Sequence, residues 1–170
     1  MTKKERDFYQ KRYAHVNLWF AHGEGWDELT LAAAQILDGL WPAIPFWLKH
    51  MWANFIGKGV YLKHPKLQKL FHIPDKPAYF EQIKEKFGNL RLYCIPYLSS
   101  ISALEFASYM KCEKCGTRKE IGHTTGWIKT LCKKCAIEKT GWHPIKITII
   151  SDHTYIEALN KEDEKSKDLY

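Results

Sequence analysis

The 170-residue sequence predicts an α+β fold, with N-terminal helices packed on a β-hairpin and a four-cysteine ribbon or knuckle module after it. Three observations carry that expectation. Apolar residues recur at helical spacing ahead of residue 56. Two apolar strand-like runs flank Phe87-Gly88-Asn89. Cys112, Cys115, Cys132 and Cys135 fall into two pairs with two residues inside each.

Taken in order, Lys3 to His15 reads as a charged helix with Phe8, Tyr9 and Tyr13 as its contacts. A clearer helix starts near Trp26–Asp27, where Leu29, Ala33, Ile36 and Leu40 recur at helical spacing and Gly39 offers a stop. A second runs from about Pro45 to Phe55, its stripe made of Ile44, Leu48, Met51, Trp52 and Phe55. Its polar face is not densely basic, which favours core packing over a membrane surface. His64–Pro65 opens a short helix with Leu67, Leu70 and Phe71 inward, closed by Pro74 and Pro77. The hairpin follows: Ala78 to Lys86 and Leu90 to Ile95, with Gly88-Asn89 supplying the positive backbone angles of the reversal and Tyr79, Ile83 and Phe87 on one face. Ser99 to Lys111 reads as a helix capped by Ser100 or Ser102, and Pro144 to Ile150 as a β-branched strand. The organisation is a mainly helical part at 1–76, hairpin and helix at 77–111, the cysteine module with its strand at 112–150, and a short helix or charged tail at 151–170, together one compact unit.

Each C-x-x-C turn can aim two thiolates at one ion, and sixteen residues between the pairs let a returning chain complete a tetrahedron. Four cysteines could also hold an iron–sulfur centre, but that spacing more often means one structural zinc ion. Two disulfides would require an oxidising compartment, and a redox C-x-x-C belongs to a thioredoxin-like pattern that is missing. Four sulfurs leave no open coordination position, so the ion would staple the fold and activate nothing. His123, between the pairs, reads as a loop residue, and Cys94 as a buried small apolar side chain.

The formal net charge is +7, laid out in blocks. Residues 1–12 carry +3 and residues 24–38 carry −4; 49–91 and 111–146 each hold nine basic and three acidic residues, and 152–168 carry −3. At 45% apolar residues the chain can bury a core, which excludes global disorder. Met1 to Arg12 has charges where a signal peptide would be apolar, and Leu40 to Ile56 is too short and too broken to span a bilayer. A cytoplasmic protein without membrane contact is expected.

Three blocks resemble a known group of sequences: Gly23-Glu24-Gly25-Trp26, Ile83 to Tyr93 (IKEKFGNLRLY), and CEKCG at 112–116 followed by GWIKTLC at 126–132. Together they are similar to a widespread, uncharacterised bacteriophage and prophage family of small zinc-binding proteins with a KEKFGGLRFY-like hairpin. The match spans roughly 23–138 and is weakest over 41–77. Asn89 stands where the family has glycine, Leu92 where it has phenylalanine, and Cys135 where relatives often carry histidine, which keeps a competent ligand. The resemblance implies a phage origin and action in the host cytoplasm; it implies no activity.

For function, neither a nucleophile–base constellation nor a P-loop stands out, so catalysis is the less favoured class. Contact with nucleic acid is the leading one. Lys84, Lys86 and Arg91 at the hairpin and Lys111, Lys114, Arg118, Lys119, Lys129, Lys133 and Lys134 in the module offer phosphate partners, with Trp127 and Trp142 to stack bases. The rivals are sequestration of a small anionic nucleotide signal, as an anti-defence device, and inhibition of a host protein. Seven tryptophans also leave room for a homo-oligomer interface.

Overall fold

The computed structural model describes residues 1–41, 43–45, 47–51, 78–136, 141–150 and 153–157, with backbone alone for 146–150 and 153–157. Helix α1, Lys3–Arg12, opens on a capping box: Glu5 N–H donates to the Thr2 hydroxyl, and the Glu5 carboxylate accepts from Thr2 N–H. It stops short of the expected His15 because the chain tightens into a 3₁₀ turn, Ala14–Val16, that delivers Tyr13 and Val16 to the core. Asn17 then takes the left-handed conformation, at φ 58°, and its amide donates to the Phe80 carbonyl at 2.9 Å. α1 buries nothing itself. It is tied down by Arg6, whose guanidinium grips the buried Asp27 carboxylate at 2.5 and 2.9 Å.

Helix α2, Asp27–Gly39, begins and ends where expected, with Asp27 and Glu28 in its first turn. Its buried face is Leu29, Thr30, Ala33, Ala34 and Leu37. Ile36 is half-buried and Leu40 exposed, so the apolar stripe is rotated from the expected one. Two consecutive alanines explain the rotation: they let a neighbouring helix come close, and α2 packs against α3, Ser99–Ser108. Of the helix expected over 45–55, residues 47–51 are helical and 52–55 lie outside the described residues, as do the expected helix at 64–71 and the tail from 160.

Strands β1, Tyr79–Lys86, and β2, Asn89–Ile95, form the antiparallel hairpin, with Ile83 opposite Leu92 and Lys84 opposite Arg91. A bulge between Phe80 and Gln82 adds one residue to β1. Phe80 and Ile83 therefore both face the core, and the single face expected for Tyr79, Ile83 and Phe87 is corrected: the bulge separates Tyr79 from Ile83, and Phe87, past the end of β1, is exposed. The reversal is also shifted by one. Phe87 and Gly88 hold the positive angles, at φ 53° and 72°, the pattern of a type I′ turn, and Asn89 already belongs to β2. Asn89 is buried, its side-chain oxygen accepting from the Ser108 hydroxyl. Helix α3 covers the outer edge of β2. Leu90 N–H donates to Ser108 Oγ at 3.0 Å and Leu92 N–H to Glu105 Oε1 at 2.6 Å, so the amides of an open edge find partners. The N-cap of α3 is the extended Leu98, and Ser99 and Ser100 fall in its first turn, not at the expected cap.

Strands β3, Ile121–Thr124, β4, Thr130–Cys132, and β5, Trp142–Pro144, build a three-stranded sheet in the order β4-β3-β5, with one helical turn, α4, at Lys133–Ala136. The strand expected over 144–150 divides: Pro144 closes β5, and β6 is Lys146–Ile150. β6 pairs antiparallel with β7, His153–Glu157, so part of the segment expected as a short helix or charged tail is a strand. The fold is α+β, with helices packed on the hairpin and a cysteine knuckle module beside them. Among the described residues no helix is long and apolar enough to cross a membrane.

Candidate metal centre

Cys112 and Cys115 lie on the turn after α3, Cys132 closes β4, and Cys135 is in α4. β3 and β4 pair with Ile121 opposite Cys132, which returns the second turn to the first. The four Sγ atoms lie within 4.8 Å of one another, and Cys115 Sγ is 3.7 Å from Cys132 Sγ. A metal–sulfur bond of about 2.3 Å in a tetrahedron gives a sulfur–sulfur edge of roughly 3.8 Å, so the donor set fits one ion. A disulfide needs about 2.05 Å, and none is formed.

Backbone groups prepare the sulfurs. Gly116 N–H donates to the Cys112 carbonyl at 2.8 Å, closing the first knuckle, with Gly116 at φ 74°. Cys135 N–H points at Cys132 Sγ at 3.4 Å. Burial opposes ionisation of Cys112, but amides of Cys132, Cys115 and Lys114 aimed at its sulfur outweigh burial and hold the thiol below its ordinary value. Burial raises Cys115, and burial together with the neighbouring sulfurs pushes Cys135 up to about 12. The Cys112 thiolate is favoured while Cys115 and Cys135 resist following it; a cation among the sulfurs reverses that resistance. Cys112 and Cys132 are buried, Cys135 is half-buried and Cys115 is exposed. His123 is not a ligand. It sits on β3, not in a loop, opposite Thr130 and His143. Cys94 is buried in the hairpin core, and burial pushes its thiol up.

The knuckle is welded to the rest of the chain on two sides. Gly25 N–H donates to the Glu113 carbonyl at 2.7 Å, and the Trp26 indole donates to the Lys111 carbonyl at 2.7 Å. A Cβ on Gly25 would meet the Cys112 carbonyl oxygen at 2.0 Å, so only glycine fits. On the other side the Thr130 hydroxyl donates to the Gly88 carbonyl, bringing the hairpin tip against β4. Glu113 links both contacts: its amide donates to the Thr130 carbonyl at 2.9 Å, and its carboxylate accepts from Gly23 N–H and pairs with Lys129 at 3.3 Å.

The basic residues separate into two groups. Lys114, Arg118, Lys119, Lys133 and Lys134 are exposed, and among the described residues none forms an ion pair. Lys111 is withdrawn from the surface, buried and paired with Glu28 at 2.5 Å, and Lys129 is engaged by Glu113. Trp127 is 77% exposed. Trp142 is not available for stacking: it packs over Gly122 and donates its indole N–H to the Leu131 carbonyl at 3.0 Å. Beside β2 lies an open groove of about 360 Å³. Phe87, Tyr93 and Tyr97 give it rings, Lys86 and Arg91 positive charge, and Glu81 and Glu105 carboxylates. Sequence reasoning named Lys86 and Arg91 but not the three rings. Phe87 points outward because it sits in the turn, and Tyr93 because it alternates with the buried Leu92 and Cys94 on β2.

No family model, curated protein or solved structure matches this chain.

Proposed function

We propose that this chain is a phage-encoded, non-enzymatic binding protein whose single zinc ion staples the fold and whose basic, aromatic surface contacts nucleic acid. The metal assignment rests on the donor set, since four cysteine sulfurs at tetrahedral spacing suit zinc and leave no place for water. The nucleic-acid reading rests on one observation: the cysteine module carries five exposed cationic side chains without an ion-pair partner among the described residues, and an exposed Trp127 in the connection between β3 and β4. The phage origin draws on the resemblance of the three sequence blocks, two of which dock on the third in the fold.

Titration of labelled oligonucleotides between about 50 mM and about 200 mM salt tests the reading. The five module cations alone predict a slope of log affinity against log salt of roughly −3.5 to −4.5, and any further phosphate contact steepens it. Absence of binding at the lower salt, or a flat salt response, removes it. A second reading, capture of a small anionic nucleotide, is favoured by the groove at β2, which combines rings with Lys86 and Arg91. Equilibrium dialysis with nucleotides separates the two.

A further inference from the structure

We propose that the groove along β2 is a stacking subsite for unpaired nucleobases of single-stranded nucleic acid, with Phe87 and Tyr97 as its platforms, Lys86 and Arg91 as its phosphate contacts, and Lys84 adding positive charge from across the hairpin. The assignment deepens the nucleic-acid reading and rests on it. Three independent features of the hairpin carry it.

The first is charge placed against itself. Lys84 and Arg91 are direct cross-strand partners, and Lys86 lies two residues further along β1. Like charges directly opposite one another destabilise a hairpin. The Lys84 ammonium donates to Gln82 at 2.7 Å and, among the described residues, forms no ion pair, so an anion bound here would relieve the repulsion.

The second is Phe87. Its ring is 69% exposed while its backbone sits at φ 53°, a region that bulky side chains adopt only under strain. Neither core packing nor turn geometry calls for a phenyl group there; asparagine would serve the turn better. The ring therefore serves a contact outside the chain. Tyr97, in the segment between β2 and α3, is 67% exposed and lines the same groove.

The third is the pairing of ring with cation. Lys86 Nζ is 5.4 Å from the Phe87 ring centre, and Lys84 Nζ is 4.9 Å from that of Tyr93. A nucleotide likewise carries a flat base close to a phosphate. Glu81 and Glu105 in the same groove disfavour a bare polyanion and suit a ligand that also donates hydrogen bonds, as the exocyclic amines of bases do. A duplex hides its base faces, so the occupant is single-stranded.

The test is fluorescence anisotropy with a labelled single strand of about 12 nucleotides, a sugar-phosphate strand of equal length without bases, and the corresponding duplex. The intact strand is expected to bind about five- to a hundredfold more tightly than either control. The double variant Phe87→Ala/Tyr97→Ala should cut that preference by about fivefold or more while keeping the salt slope, since about 1–3 kcal/mol is lost per stacked base. Both side chains are exposed, and a circular dichroism melt with bound-metal content verifies that the variant folds; Tyr97→Ala alone is the fallback. Equal binding of strands with and without bases, unchanged in the variant, overturns the groove assignment and leaves the phosphate reading standing. Displacement of the strand by a nucleoside monophosphate at comparable concentration makes the occupant a free nucleotide and overturns the strand assignment. Absence of any strand binding removes both.

Discussion

Gly25 and Cys112 are in backbone contact: a Cβ on the glycine would lie 2.0 Å from the cysteine carbonyl oxygen and 2.5 Å from Gly116 N. Neither neighbour is a side chain that can swing away. A methyl group at residue 25 must push the knuckle bodily, and the knuckle carries two of the four sulfurs. Gly25→Ala is expected to destabilise the fold by about 2–3 kcal/mol, the range of overpacking a tight interior, and to speed metal loss. Thermal melts and chelator competition read both effects. An unchanged melt and unchanged metal release would show that the contact yields easily.

Thr130 makes the matching link on the other side. It is fully buried, and its hydroxyl is the partner of the Gly88 carbonyl at the hairpin tip. Thr130→Val keeps the shape and removes the donor, leaving the carbonyl unpaired at a cost of about 1–3 kcal/mol. The effect should appear in denaturant midpoints, with amide exchange speeding at Gly88 and its turn before it does in α1.

These two links explain how much the sequence could say. The cysteine spacing, the start of α2 at Asp27 and the hairpin ends were legible because each follows a local rule: knuckle geometry, helical periodicity, turn chemistry. The roles of Gly23 to Trp26 were not, since those residues act on a partner about 85 positions away, as when the Trp26 indole meets the Lys111 carbonyl. The outward turn of Phe87 depended on its place in the reversal, at φ 53° and one residue earlier than the Gly-Asn pair suggests, and the inward placing of Phe80 on a one-residue bulge that leaves no mark in alternation. Lys111, Lys129 and Trp142 look like surface ligands in sequence and are engaged by Glu28, Glu113 and the Leu131 carbonyl. Only three-dimensional neighbours decide which charges are already used.

Phe87 gives a prediction with two opposite signs. Phe87→Asn places Asn-Gly in a type I′ turn and removes a strained non-glycine residue, which should stabilise the hairpin by about 0.5–1 kcal/mol. The same change should weaken single-strand binding. A variant that melts higher and binds less separates a functional ring from a structural one; a variant that melts lower shows that the phenyl supports the fold.

Acid should loosen the N-terminal part. His22 has a fully buried side chain, with Nδ1 2.8 Å from the Gly23 carbonyl and Nε2 2.6 Å from the Thr30 hydroxyl. The neutral ring satisfies both, with Nδ1 donating and Nε2 accepting. Burial holds its pKa below the ordinary 6.5. A depressed folded value means that the unfolded chain takes up protons first, so stability is complete above about pH 6.5 and declines as pH falls from there toward the folded value. His15 is lowered by burial as well and adds to the same slope. Melts of metal-saturated protein from pH 8 to about pH 5.5 should show this decline, with a shallower slope in His22→Asn. A flat profile, or equal slopes, would remove the assignment.

The most direct measurement is metal content with X-ray absorption on protein purified under reducing conditions. Two knuckles that meet in one closed shell predict a single zinc per chain with four sulfurs at about 2.3 Å, and loss of that ion should unfold the helices and hairpin together with the module. Substoichiometric metal, or a shell containing water, nitrogen or oxygen, would contradict it.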